Sequence, residues 1–234
     1  MVREWLRLMA NENVSPEQLD FHKTQVKLTA LVERFRNSVQ KWRGEYDFSH
    51  EVKAAMDTCL ACKACASQCP IKIDVPSFRA KFFHFYHSRY LRPAKDHIVA
   101  NLEIAAPYMA KQAKLFNYFT KLKFTQTLVE KTLGMTDLPL LSEPNLQQQL
   151  VELHYQGKSL EELESLSAVE KNDILFIVQD PYTSYYDAKV VRDFVMLTQK
   201  LGFIPILLPF KPNGKAMHIK GFLKHFSKTA QNQG

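Results

Sequence analysis

The chain has 234 residues, a formal net charge of +7 and 46% hydrophobic residues, which suffices for one large or two small globular domains. It contains no run of about 18 apolar residues, and its charged N-terminus lacks the apolar core of a signal peptide, so we expect no membrane span. No nucleic-acid motif accompanies the basic charge, which favours an acidic partner subunit, domain or membrane surface over a nucleic-acid partner.

The N-terminal part is predicted to be helical. Trp5, Leu8 and Met9 recur at helical spacing with no cap before them, so we expect the chain to have been cut from a longer polypeptide. A second helix is predicted to begin with a capping box at Ser15 and to end at Gly44. Its apolar residues are predicted to be core residues: Leu28, Leu31, Val32, Phe35, Val39 and Trp42.

All four cysteines lie within eleven residues, after a short helix that is predicted from a Ser49 cap to Thr58. Their spacing is C-x-x-C-x-x-C-x-x-x-C-P, the ferredoxin pattern in which thiolates hold iron–sulfur clusters. Leu60 and Ile71 are expected to shield such a [4Fe-4S] cluster from water. The predicted metal ligands are Cys59, Cys62, Cys65 and Cys69.

Zinc is the main alternative to iron and sulfide. Structural zinc usually takes two cysteine pairs that are separated by a dozen or more residues, which differs from this run. A zinc-stabilised helical interaction module therefore stays open as the second interpretation. Because no secretory signal precedes the clustered thiols, we expect a location in the reducing cytoplasm.

The spacing leaves the number of clusters open. In two-cluster ferredoxins the fourth cysteine of such a run serves the other cluster. Under that rule Cys59, Cys62 and Cys65 hold one cluster, and Cys69 serves a second one whose other ligands lie outside this chain.

The helix after the cysteines is predicted to begin at Asp74 and to end before Pro93. Basic residues on and after it predict either a docking surface near the cluster or a solvated helix face: Arg79, Lys81, Arg89, Arg92 and Lys95. His84 and His87 lie on the same helix, and we do not expect them to bind metal because the thiols suffice.

Further helices are predicted at 95–106, 108–121 and 123–133, with Pro107 interrupting the first and Gly134 capping the last. Short helices are predicted near 145–153 and 159–166.

Two apolar runs at 174–178 and 203–208 are predicted strands, joined by a helix over 184–201. They form one right-handed β-α-β unit with parallel strands. Two parallel strands do not form a stable sheet by themselves, so we expect this α/β domain to be incomplete. The predicted fold is mainly α: a helical ferredoxin-like iron–sulfur module over 1–134, a linker over 135–172 and the start of an α/β domain over 173–234.

The carboxyl ends of these strands are where α/β sheets bind ligands. Asp180 follows the first strand. Four residues after the second strand are candidate anion or substrate-side contacts: Lys211, Asn213, Lys215 and His218. The alternative is a pair of tight turns with helix caps, Thr183 acting as a cap and Asn213-Gly214 as a turn.

Several stretches resemble one family, the large bacterial FAD-linked oxidases with a C-terminal iron–sulfur part. They are residues 44–53, the cysteine run with 70–76, residues 90–93, 179–187 and 208–223. The resemblance implies that FAD is bound in an upstream domain, which oxidises a 2-hydroxy acid. It also implies that the iron–sulfur part relays the electrons to an acceptor, and that a further C-terminal domain rich in Cys-Cys-Gly motifs follows.

The resemblance implies that this chain is a middle section of such an oxidoreductase. We expect an electron-transfer segment with no catalytic residues of its own, inactive by itself, whose partner is the flavin domain. A standalone iron–sulfur subunit with a separate flavin subunit is left open.

Overall fold

The structure is a computed structural model, and it describes residues 4, 5, 7, 28–70, 73–158, 160–167 and 171–232. The helix start predicted at Ser15 and the shielding role of Ile71 lie outside these residues. In chain order the elements are α1 (Leu28–Trp42), α2 (Phe48–Asp57), α3 (Ala64–Gln68), α4 (Val75–Arg89), α5 (Ala94–Lys111), α6 (Ala113–Lys121), α7 (Lys123–Leu133), α8 (Leu146–Glu152), α9 (Leu160–Glu164), β1 (Ile174–Ile177), α10 (Pro181–Tyr185), α11 (Ala188–Lys200), β2 (Ile204–Leu207), α12 (Lys215–Ile219) and α13 (Leu223–Gln231).

The described residues are mainly helical, as predicted, with one pair of parallel strands. Contacts divide the chain into two compact units, one formed by Met1–Asn101 with Asn213–Gly234 and the other by Leu102–Pro212. The domain limits that we placed at residues 134 and 172 stay a prediction. No helix in the described part of the chain is long and apolar enough to cross a membrane.

The core of the first unit is built on the aromatic face of α4. Phe82 and Tyr86 are almost completely buried there and pack with Trp5, Val52 and Met56. The Trp5 ring meets the Phe82 ring edge-on, with centroids 5.2 Å apart. Aromatic side chains bury large apolar areas, so α4 is the central element of this unit.

The start of α2 differs from its prediction. Asp47 is the N-cap, because its Oδ1 accepts the Ser49 N–H at 2.7 Å. Ser49 is instead buried within the helix, where its hydroxyl accepts a hydrogen bond from Trp5 Nε1 at 3.2 Å. Serine and aspartate cap helices about equally well, so local preference alone did not distinguish the two.

Two predicted caps are confirmed. Asp74 Oδ1 accepts the Ser77 N–H at 3.0 Å at the start of α4, and Gly134 ends α7 in the left-handed conformation with φ of 60°. The interruption predicted at Pro107 is wrong, since α5 continues through it to Lys111.

The predicted core role is wrong for four of the six apolar residues of α1; Val39 is half-buried, and the side chain of Leu28 lies outside the described part of the structure. Among its apolar residues, Leu31, Val32, Phe35 and Trp42 are exposed. The helix lies against α4 by polar side chains, which leaves its apolar stripe uncovered.

The second unit confirms the predicted β-α-β unit. Strands β1 and β2 are parallel, with Ile174 opposite Ile204 and Ile177 opposite Leu207. Val191 and Val195 of α11 pack beside Ile177 in a buried cluster that also includes α8.

Candidate metal centre

The four cysteines lie on a short irregular segment between α2 and α4. The Cys59 N–H donates to the Met56 carbonyl at 3.2 Å, so the run starts directly at the last turn of α2. Ala61 and Lys63, which precede α3, have left-handed φ values of 55° and 61°. Non-glycine residues rarely adopt this region, and such strain is concentrated at functional sites.

The thiols have the chemistry that an iron–sulfur cluster requires. None of the four cysteines forms a disulfide bond; Cys59 and Cys69 are half-buried, and Cys62 and Cys65 are exposed. The Ala61 N–H donates to Cys59 Sγ at 3.4 Å. Hydrogen bonds of this kind to ligand sulfur are one of the means by which proteins set cluster potentials.

The geometry of the segment gathers fewer ligands than the spacing predicts. Among the described residues, no three His, Cys, Asp or Glu side chains come together in a group that could hold a metal ion. Cys65 and Cys69 are joined through one helical turn, since the Cys69 N–H donates to the Cys65 carbonyl at 2.9 Å. Leu60 is 87% exposed, and the shielding role that we predicted for it stays a prediction.

Arg79 ties the cysteine segment to the rest of its unit. It is 5% exposed, and its Nε donates at 2.8 Å to the Met56 carbonyl, the same oxygen that accepts the Cys59 N–H. Its Nη1 donates at 2.7 Å to the Ile219 carbonyl. Burial lowers the pKa of the Arg79 guanidinium, and the electrostatic interaction with Cys59 raises it. In the sequence Arg79 is one of several basic residues of α4, and nothing there distinguishes it from the others.

The turn after α12 is held against α4 by a set of similar contacts. Arg92 donates to the Lys220 carbonyl and stacks over the Phe222 ring at 4.0 Å. His84 Nδ1 lies 3.2 Å from the Gly221 carbonyl oxygen. These contacts place the turn next to the helix that follows the cysteines.

The basic residues of this region are therefore largely structural. Arg79 and Arg92 bind backbone carbonyls, and Arg89 lies 3.6 Å from the Asp47 carboxylate. Only Lys81 and Lys95 of the predicted set are exposed. The five basic residues as a whole therefore form neither the docking surface nor the solvated helix face that the sequence predicted.

The two histidines of α4 are buried or half-buried among protein groups. His87 is 6% exposed, and its Nε2 lies 3.9 Å from Asp96 Oδ2. Burial, reinforced by the nearby Arg92 charge, lowers the pKa of His87 to about 3. Burial also lowers the pKa of His84. Both imidazoles are consequently neutral at pH 7.

The candidate anion contacts after β2 have local roles. Asn213 Oδ1 accepts the Lys215 N–H at 2.8 Å beside Gly214, whose φ is 72°, so the predicted Asn213-Gly214 turn is present. The His218 ring packs on Phe226 with centroids 4.9 Å apart, and burial lowers its pKa. Lys211 is exposed and belongs to the other unit.

The loop after β1 is also capped differently from its prediction. Asp180, rather than Thr183, caps α10, since its Oδ1 accepts the Tyr182 N–H at 2.9 Å and the Thr183 N–H at 3.4 Å. The proposed ligand role of these strand ends stays a prediction.

The chain is similar in sequence to several bacterial dehydrogenases. Over 233 residues the chain is 93% identical to a D-2-hydroxyglutarate dehydrogenase of Haemophilus influenzae, and the match covers 100% of this chain. The chain is a relative of one segment of D-2-hydroxyglutarate dehydrogenases. The proteins of that name from Escherichia coli and Pseudomonas putida are 58% and 38% identical over 99% and 98% of the chain.

The chain spans only 23% of the length of each of these dehydrogenases. No family model and no solved structure matches the chain. The predicted relation to a segment of a 2-hydroxy acid dehydrogenase is thus confirmed at the level of the sequence, whereas membership of the FAD-linked oxidase family stays a prediction.

Proposed function

We propose that this chain is the electron-relaying segment of an FAD-linked dehydrogenase that oxidises D-2-hydroxyglutarate. In this proposal Cys59, Cys62 and Cys65 hold a [4Fe-4S] cluster, and Cys69 serves a second cluster. The observation that carries the proposal is the ferredoxin-type cysteine run. It lies in a chain that is 93% identical to a segment of a protein named D-2-hydroxyglutarate dehydrogenase. The FAD belongs to a part of the polypeptide outside this chain.

The chemistry of the cysteine segment supports this assignment. Cysteines that form no disulfide bond can supply the thiolate ligands, and the Ala61 N–H donates to the Cys59 sulfur. A cluster held there would supply one-electron transfer between the flavin and an acceptor. The nearby Arg79 charge would offset part of its negative charge.

Loading requires the segment to close. Since no three of the thiols are gathered in the described structure, we expect the segment to rearrange, with the exposed Cys62 and Cys65 moving, when the metal binds. Both thiols are exposed, and α3 has only five residues, so this movement breaks few contacts.

Anaerobic reconstitution with iron and sulfide tests the proposal. The chain should turn brown and bind about four iron and four sulfide ions per cluster. Serine replacements at Cys59, Cys62 and Cys65 should each abolish most of the bound iron. Cys69→Ser should retain the electron paramagnetic resonance signal of the first cluster.

Two results would contradict parts of the proposal. Stoichiometric zinc without labile sulfide would identify a zinc-stabilised module. Equal loss of iron in all four serine variants would assign all four thiols to one cluster.

A further inference from the structure

Helix α1 presents its polar side to its own unit. Arg34 Nε donates to the Ser88 carbonyl and Asn37 Nδ2 to the Arg89 carbonyl, both at 3.0 Å. These carbonyls belong to the last turn of α4, where helix C=O groups lack intrahelical partners. These hydrogen bonds hold the helix by its polar side; among its apolar residues, Val39 is half-buried.

The apolar residues of α1 form a regular seam. Val32, Phe35, Val39 and Trp42 follow one another at intervals of three, four and three residues, the spacing of helices that pack side by side. Val32 is 66% exposed, Phe35 62% and Trp42 87%. At about 100° per residue, the centre of the seam lies about 150° around the helix from Arg34 and Asn37, which bind α4.

Exposed apolar seams of this kind mark interaction sites. Large side chains that are repeatedly exposed along one helix face are uncommon on isolated soluble domains. Helix-in-groove recognition uses anchors at these intervals. The open rim of the seam carries Arg36 and Arg43, both exposed, on the side away from α4.

A second copy of this chain fits the seam poorly. Antiparallel pairing of two α1 helices would place Arg36 and Arg43 of one copy beside those of the other, and like charges at flanking positions oppose pairing. Most of the sequence of each relative lies outside the 23% that this chain spans. That remainder supplies an occupant whose charges need not repeat those of α1.

We infer that the seam of α1 docks an apolar helix face with acidic flanks, contributed by the remaining polypeptide of the dehydrogenase. The apolar anchors Phe35 and Trp42 insert between the side chains of that helix. Arg36 and Arg43 pair with its acidic flank, which sets the orientation of the two parts.

Hydrogen exchange measured by mass spectrometry tests this inference. The full-length Haemophilus influenzae dehydrogenase, with this chain in place of its matching segment, is compared with the chain alone. Peptides covering residues 32–42 should exchange at least about tenfold more slowly in the full-length protein. Phe35→Glu should restore fast exchange there, whereas Glu33→Ala, an exposed change on the same helix away from the seam, should not.

Two measurements on the chain alone distinguish the other possible occupants of the seam, which are this chain itself and a second copy of it. They are the thermal unfolding midpoint and the molecular mass in solution. Phe35→Glu should leave its midpoint unchanged within about 2 °C, because Phe35 is exposed there. A larger fall would mean that this chain covers its own seam. A dimer on analytical ultracentrifugation that Phe35→Glu dissociates would assign the seam to a second copy. Equal exchange in the two proteins would also overturn the inference.

Discussion

Gly221 is the point of closest approach between α4 and the turn after α12. A Cβ atom at this position would lie 2.7 Å from His84 N, 2.8 Å from Phe83 Cβ and 2.9 Å from the Ala80 carbonyl oxygen. Its φ of 72° also favours glycine. Both features restrict the position to glycine.

We expect Gly221→Ala to lower the free energy of unfolding by about 2–4 kcal/mol, because it adds a steric clash to left-handed strain. Gly44→Ala is the matched control, since Gly44 has a φ of 86° and a Cβ added there would have no atom within 4 Å. That variant should lose only about 1 kcal/mol. Urea unfolding measures both, and equal losses would show that the close approach costs nothing.

His87 makes the stability of the chain depend on pH. Its pKa is about 3 in the folded protein and about 6.5 when unfolded, so below pH 6.5 the unfolded state binds a proton that the folded state does not. The contribution of His87 to the free energy of unfolding is therefore fully present above pH 6.5, and it is lost progressively as the pH falls toward 3. The lowered pKa values of His50 and His84 act in the same direction.

Removing this imidazole should flatten the pH dependence. Between pH 7 and 5 the parent chain should lose about 2 kcal/mol more unfolding free energy than His87→Phe. Between pH 8 and 7 the two should change almost equally, since the histidine is neutral in both states. Urea titrations at the three pH values provide the measurement, and parallel curves throughout would contradict the assignment.

One side chain of helix α4 connects the cysteine segment to the end of α12. Arg79 donates to the Met56 carbonyl before the cysteines and to the Ile219 carbonyl at the end of α12. It also lies over the Phe83 ring at 4.4 Å. Hydrogen bonds from a charged donor are worth more than neutral ones, and breaking them leaves buried carbonyls unsatisfied.

Arg79→Met should cost about 2–4 kcal/mol of unfolding free energy and should speed hydrogen exchange at residues 219–221. Lys81→Met, an exposed change on the same helix, should stay within about 0.5 kcal/mol of the parent. Chemical denaturation and exchange measure the two effects. A loss below about 1 kcal/mol for Arg79→Met would mean that water replaces both bonds.

Two other helices show how tertiary contacts override local preference. Pro107 lies inside α5, where a proline costs about 3 kcal/mol or more, yet Glu103 and Ala106 of the preceding turn are buried. In α11, Val191 and Val195 are buried while Phe194 is exposed, so only part of its apolar surface faces the core. Neither outcome is encoded in the helical spacing.

The whole molecule brings distant parts of the chain together. The bond between Arg79 and Ile219 joins residues 140 positions apart, and residues from Asn213 onward belong to the unit that contains the cysteines. The predicted domains placed residues 173–234 together, and nothing in the sequence indicated that residues from Asn213 onward belong to the unit with the cysteines.

The chain alone should not oxidise D-2-hydroxyglutarate, even with iron and sulfide bound. Under the proposed function the flavin and the substrate site belong to polypeptide outside the 23% that this chain spans. A dye-reduction assay with the reconstituted chain measures this directly. The full-length Haemophilus influenzae dehydrogenase serves as the positive control, and turnover by the isolated chain would contradict the proposal.

The sequence by itself determined the local features of this protein. The Asp74 cap and the Gly134 end depend on residues within a few positions of one another, and each strand and helix of the β-α-β unit has a local pattern of its own, so these features can be recognised directly. The cysteine spacing is likewise a local signal, and the family resemblance followed from short stretches.

Only the tertiary structure decided which surfaces are buried and what the charged residues bind. Arg79 and Arg92 looked like surface charges, and the stripe on α1 looked like core. Burial depends on packing partners that are far away in the chain, and the periodicity of a helix sequence does not show which of its faces these partners cover. For the same reason the cysteine run indicates its ligands, whereas their present separation is visible only in three dimensions.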